Sequence, residues 1–143
     1  MYQTVNEDCI AELVDTFYGK VRGDQILGPI FMAAIGSDWT LHLQRMNAFW
    51  ASVLLAAGTY KGNPMIAHLR LPRLTEPHFD RWLQLWRETV SALCSDAVAA
   101  LFIQKAEMIA ERFLYAISSF HEMARQEMVA AHQETAAAPE AIQ

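Results

Sequence analysis

A chain of 143 residues is expected to make one domain, large enough to bury a core without disulfides or a structural metal. Its formal net charge of −5, with no run of Lys or Arg, offers no electrostatic track for a nucleic-acid backbone and disfavours an anionic membrane surface. No stretch is apolar for long enough to span a bilayer, and Met1–Asp8 has neither the basic nor the apolar region of a signal peptide, so a cytoplasmic location is expected.

The first helix has two candidate starts, a capping box of Thr4 with Glu7 and a competing N-cap at Asn6. Ile10, Leu13, Val14, Phe17, Tyr18 and Val21 then follow the spacing of one buried helix face until Gly23-Asp24 interrupts it, which directs Tyr18 inward. One or two short turns follow over Ile26–Ile35, with Pro29 tolerated in a first turn and Gly36 as the stop. Ser37 or Asp38 caps a longer helix whose stripe is Trp39, His42, Leu43, Met46, Phe49, Trp50, Val53 and Leu54, ending at Gly58.

Gly62, Pro64 and Pro72 prevent a long helix between Gly58 and Thr75, although Asn63-Pro64 can start a single turn that leads to His68. Thr75-Glu76-Pro77 opens the next helix, with Phe79, Trp82, Leu83, Trp86, Val90 and Leu93 on one face. Ser95-Asp96 opens the last, with Val98, Leu101, Phe102, Ile109, Phe113 and Ile117 inward. Beyond about His121 the apolar pattern fades into Ala, Gln and Glu, which reads as a helical extension fraying into a disordered tail. The fold class is all-α, and the domain boundaries expected are 1–120 for the domain and 121–143 for the extension.

Cys9 and Cys94 stand far apart in sequence with no CxxC partner, a pattern that suits buried thiols in a reducing compartment. Gly-rich phosphate loops, HExxH, GxSxG and carboxylate-rich metal loops are absent. What remains is aromatic and imidazole chemistry aimed at a helical interior. Tyr18, His42 and Trp82 place a phenol hydroxyl, an imidazole and an indole N–H on apolar faces, where polar tips need partners. Taken singly, each is also an ordinary core residue. A diatomic ligand with partial negative charge on its outer atom would satisfy all three together. His68 is either an exposed loop histidine or the axial ligand of a metal-bearing macrocycle entering edge-on between helices. His78 reads as a helix-start residue, and His121 and His132 as solvated tail residues.

The chain resembles the truncated haemoglobins, and within them the third group. The resemblance rests on Phe17-Tyr18 followed by Val21-Arg22-x-Asp24, on Leu27-Gly28-Pro29-Ile30-Phe31, and on Trp39-x-x-His42 leading to Phe49-Trp50. It continues through Tyr60-x-Gly62-x-Pro64-x-x-x-His68-x-x-Leu71-Pro72 to Phe79-x-x-Trp82-Leu83. It covers the chain from the first helix to about Ser118 and lacks the glycine-pair motifs of the other two groups.

The resemblance implies a shortened globin fold, a two-over-two helical sandwich around haem b. It makes His68 the proximal iron ligand and places Tyr18, His42, Met46 and Trp82 in the distal pocket. Phe31, Trp50, Leu71, Phe79, Trp86, Ile109 and Phe113 become pocket or core walls. Arg70 and Arg73 become either partners of the haem propionates or plain surface arginines.

The ligands expected are O2, NO, CO, cyanide or peroxide. Three donors around the outer ligand atom would slow release, which favours redox chemistry on O2, NO or peroxide with an unidentified reductase over carriage. An O2-binding module for storage, delivery or sensing without turnover is the alternative, and a haem-free helical scaffold is a third. His42 could also occupy the iron itself when no exogenous ligand is present.

Overall fold

The computed structural model describes residues 1–56 and 74–142, with side-chain placement through residue 133. Five helices are described: α1 (Glu7–Gly23), α2 (Leu27–Ile35), α3 (Thr40–Leu55), α4 (Glu76–Leu93) and α5 (Asp96–Ile142). The only β feature among the described residues is an isolated parallel bridge between Tyr2 and Cys94. This is the all-α fold expected.

Cap chemistry decides most of the helix starts. Of the two candidates for α1, Asn6 wins: its side-chain oxygen accepts the Cys9 N–H at 2.8 Å, satisfying one of the donors a helix N-terminus leaves open. Thr75 caps α4 through a reciprocal box in which His78 supplies the return bond to the Thr75 N–H, at 2.9 Å. Ser95 Oγ accepts the Val98 N–H at 3.4 Å at the start of α5.

Two stops differ in kind. Gly36 ends α2 at φ 86°, a conformation that costs glycine little. The end of α3, expected at Gly58, is instead made by Ala56 in the left-handed region at φ 52°, and Gly58 itself lies outside the described residues.

α1 is the central element, packing on α2, α3 and α4, while α4 pairs with α5. The helices thus form two pairs, α1 with α3 and α4 with α5, joined where α1 packs on α4, in keeping with the two-over-two arrangement expected. The main core gathers the α1 stripe (Ile10, Leu13, Val14, Phe17, Tyr18 and Val21) against Trp50, Trp86, Val90 and Phe102. A second cluster joins Leu74 and Phe79 to Ala110 and Ile117, with Phe113 packed against it.

The buried face of α5 corrects one expectation. Leu101 is not inward but 47% exposed. The face that meets α4 runs through Val98, Phe102, Ala106 and Ala110 at steps of four, and the alanines let the helices approach closely, which leaves Leu101 outside the seam. His121 corrects another: it is half-buried, with its Nε2 shielded from solvent, whereas His132 is exposed as expected. α5 crosses position 120 without a break, and beyond it Met123 and Met128 are exposed.

Candidate functional site

Tyr18 is 5% exposed on the inward stripe of α1. The helix spacing that buries Phe17 and Val21 turns it towards α3, where its ring meets His42 edge to face, with centroids 4.7 Å apart and planes at 88°. Phe31 of α2 and Trp39 at the start of α3 complete a cage. Tyr18 lies 5.9 Å from Phe31 and 6.1 Å from Trp39, Trp39 lies 5.6 Å from His42, and Phe31 stacks on Trp39 at 6.2 Å. Edge-to-face pairs of this kind are the favoured aromatic geometry. Burial pushes the Tyr18 phenol well above its ordinary pKa, so at neutral pH it keeps its proton and can donate. The Nε2 of His42 is likewise shielded from solvent.

Local chemistry fixes this cage. The indole N–H of Trp39 donates to the Gly36 carbonyl at 2.9 Å, tying the end of α2 to the start of α3. Asp38 accepts the Thr40 N–H at 3.0 Å, and the Arg22 guanidinium lies over the Trp39 ring at 4.7 Å. Gly28 allows α2 to sit against the end of α1, because a β-carbon there would lie 2.9 Å from the Arg22 carbonyl oxygen.

Asp24 does the remaining positioning. One carboxylate oxygen accepts the Ile26 and Leu27 N–H groups at 3.0 and 2.9 Å, and the other accepts Arg81 Nε at 2.7 Å. Its side chain is 4% exposed. Burial alone would raise its pKa, but the Leu27 N–H, the Arg81 guanidinium and the Ile26 N–H outweigh that and hold it below the usual carboxylate value.

The expected donors are only partly brought together. Tyr18 and His42 touch, whereas Trp82 of α4 is half-buried and joins them through Phe17, which contacts Tyr18 at 4.9 Å and Trp82 at 5.7 Å. Met46, one turn beyond His42, is half-buried against the main core, as is Ile109. Phe79 and Phe113 belong to the second cluster.

Trp50 and Trp86 are buried in the main core. They stack at 4.7 Å with planes at 14°, are 2% and 0% exposed, and the Trp86 N–H is spent on the Phe102 carbonyl at 3.2 Å. His68, Arg70, Leu71 and Arg73 lie outside the described residues.

Sequence reading underweighted Trp39 and missed the Asp24–Arg81 pair. Trp39 was visible as a stripe member, but its placement at a helix start gave no hint that it closes the cage. Asp24 was visible as a residue between helices, a position that favours capping. Its partner Arg81, 57 positions away, carried no local signal.

Residues 1–110 match the family model described as bacterial-like globin. The chain belongs to the bacterial-like globin family. Among its relatives, the group 3 truncated haemoglobin of Campylobacter jejuni is 39% identical over 115 residues, spanning 78% of this chain and 91% of that protein. The crystal structure of a group III truncated haemoglobin from the same organism matches with a TM-score of 0.78 at 38% identity, over 81% of this chain and 94% of that one. A truncated oxygen-avid haemoglobin from Bacillus subtilis matches with a TM-score of 0.65 at 26% identity, over 77% and 94%.

Membership of the truncated haemoglobins implies a haem cofactor and globin-type binding of small diatomic ligands. The described residues of this globin fit that group. Tyr18, Phe31 and Trp39 supply aromatic surface of the kind a flat apolar macrocycle packs against, and the polar atoms beside it are a protonated phenol and an imidazole Nε2 shielded from solvent.

Proposed function

We propose that this globin holds haem b against the face made by Tyr18, Phe31 and His42, with His68 as the proximal iron ligand, and that it uses bound O2 for redox chemistry. The observation that carries the reading is the edge-to-face contact of Tyr18 with His42 inside a buried aromatic cage. Leu71, Phe79, Ile109 and Phe113 supply apolar neighbours, and Arg70 and Arg73 supply cations for the propionates. When bound, haem supplies an iron that takes a diatomic ligand and exchanges electrons.

The protein's own groups set what happens to that ligand. Tyr18 stays protonated and donates its O–H, Trp82 has an indole N–H that can only donate, and His42 can donate or accept according to its tautomer. Met46 fills the space one turn along α3 with an adaptable apolar chain. Hydrogen bonds to a ligand bearing partial charge contribute about 1.5–3 kcal/mol each, so two donors slow release by orders of magnitude. Slow release suits redox chemistry on bound O2, NO or peroxide, with electrons from an external reductase, and not delivery. The naming of the B. subtilis relative as oxygen-avid supports tight holding. CO and cyanide would occupy the same place as probes.

Three substitutions separate the parts of this reading. His68→Ala should abolish the Soret band of the purified protein or shift it strongly; an unaltered band would remove His68 as the proximal ligand. Tyr18→Phe and Trp82→Phe should each speed O2 dissociation and lower NO or peroxide turnover. Unchanged dissociation with unchanged turnover would remove the polar-face mechanism, and faster dissociation with no turnover in any variant would leave a storage, delivery or sensing module.

A further inference from the structure

Cys9 and Cys94, 85 positions apart in sequence, have their Sγ atoms 3.8 Å apart. Sequence spacing alone gave no sign of this. Cys9 lies in the first turn of α1, with its N–H bound to the Asn6 side chain. Cys94 closes α4 in an extended conformation, at φ −125° and ψ 156°. The N-terminal segment is laid against this junction: the Tyr2 N–H donates to the Leu93 carbonyl and the Ser95 N–H donates to the Tyr2 carbonyl, both at 2.8 Å. The Tyr2 hydroxyl adds a hydrogen bond to Glu12 on α1. Both thiols are free, and the residues are 0% and 1% exposed.

We propose that Cys9 and Cys94 are a modification site, a thiol pair that a hydroperoxide converts reversibly into a disulfide joining α1 to the α4–α5 junction. Their sulfurs already touch, and forming a bond of about 2.05 Å needs a relative shift of less than about 2 Å. Cys9 is the attacking sulfur, because the first turn of a helix favours a thiolate and the Cys94 S–H can donate to it. The Cys9 thiolate attacks the terminal peroxide oxygen, the O–O bond breaks, and the departing oxygen takes up a proton and leaves as water from hydrogen peroxide or as the alcohol from an organic hydroperoxide. This gives a sulfenic acid. The Cys94 sulfur then attacks that sulfur, the S–O bond breaks, and the hydroxide takes the Cys94 proton to leave as water. Each sulfur loses one electron, and the two electrons reduce the peroxide.

Access requires opening, since neither sulfur meets solvent in the closed state. The cover is the segment before Asn6, in which Met1, Gln3 and Thr4 are exposed and which is pinned at Tyr2. Release of a short exposed segment held mainly at Tyr2 is a low-energy local opening. The native thiols are therefore slow and protected, as burial also dictates by pushing both pKa values up, that of Cys94 to about 12. The resulting bond closes a long loop, which removes much conformational freedom from the unfolded chain and stabilises the fold.

The test uses the full-length protein. Treatment with hydrogen peroxide, then denaturation and alkylation, should give an intact mass lower by about 2 Da with no alkyl group added, and a reductant should restore two alkylatable thiols. Peptide mapping should place the bond between Cys9 and Cys94, and the oxidised protein should melt at a higher temperature than the reduced one. Four outcomes would overturn the proposal: two alkylatable thiols after prolonged treatment, a gain of about 16 or 32 Da without the loss of 2 Da, a dimer on a non-reducing gel, or a lower melting temperature after bond formation. Cys94→Ser must abolish the change in mass and in melting temperature, and persistence of either in that variant also contradicts the assignment.

Discussion

The molecule contains two aromatic assemblies built from the same residue types at the same helical spacing, and they differ in where their polar atoms go. In the stack of Trp50, Trp86 and Phe102, enclosed by Phe17, the Trp residues are 2% and 0% exposed and the Trp86 N–H is spent on a backbone carbonyl. In the cage of Tyr18, Phe31, Trp39 and His42, the Trp39 indole N–H donates to the Gly36 carbonyl, and Tyr18 and His42 meet edge to face as rings. A sealed stack with its polar atom satisfied within the chain is a device for stability. A cage that carries a phenol hydroxyl and an imidazole on its rings is the part to which the proposed function assigns a guest.

The comparison breaks most readily at Trp86. Trp86→Ala should cost about 3–5 kcal/mol of unfolding free energy in denaturant titration, the usual cost of emptying a core position of this size. A loss below about 1 kcal/mol would mean that the stack is not the structural centre. Tyr18→Phe, by contrast, should leave stability nearly unchanged while raising the O2 dissociation rate roughly tenfold or more, read by stopped-flow displacement with CO. If Tyr18→Phe lowered stability as much as Trp86→Ala did and left the rate alone, the two assemblies would share one role.

The support beneath the cage gives a smaller effect with a clear sign. Asp24 titrates below its ordinary value of 3.8 in the folded chain, so its contribution is fully present above the unfolded pKa and is lost as pH falls through the lower, folded one. Arg81→Met should cost about 1–2 kcal/mol near neutral pH and should flatten the fall in stability below about pH 4, measured by denaturation across pH. An equally steep acid limb in the variant would remove the pair from that role. The smallest effect belongs to Ala56, whose left-handed conformation glycine would adopt more readily: Ala56→Gly should stabilise by up to about 1 kcal/mol. Destabilisation there would contradict the assigned end of α3.

The order of the described helices, the Thr75 start, Asn6 as one of two candidate starts, the Gly36 stop and the burial of Tyr18 were legible in the sequence, because caps and periodicity act over three or four residues. The contacts that make the site were not. Tyr18 with His42, Asp24 with Arg81 and Cys9 with Cys94 join positions far apart in the chain, and no local pattern encodes which distant face a residue meets. Leu101 was misplaced for a related reason. Hydropathy favours leucine for a seam, whereas close helix packing chose the alanines at 106 and 110. The division between sealed stack and cage was equally invisible, since Trp50 and Trp86 carry the same signal as Trp39 and Trp82.

The central claim is that the cage of Tyr18, Phe31, Trp39 and His42 faces a haem-held guest. The absorption spectrum of the reduced, ligand-free protein tests it most directly, because it reads haem content and the occupant of the distal position together. A Soret band with the visible bands of a five-coordinate, high-spin iron is expected, converting fully on addition of O2 or CO. No Soret band after incubation with haem, or a six-coordinate low-spin spectrum before any ligand is added, would contradict it.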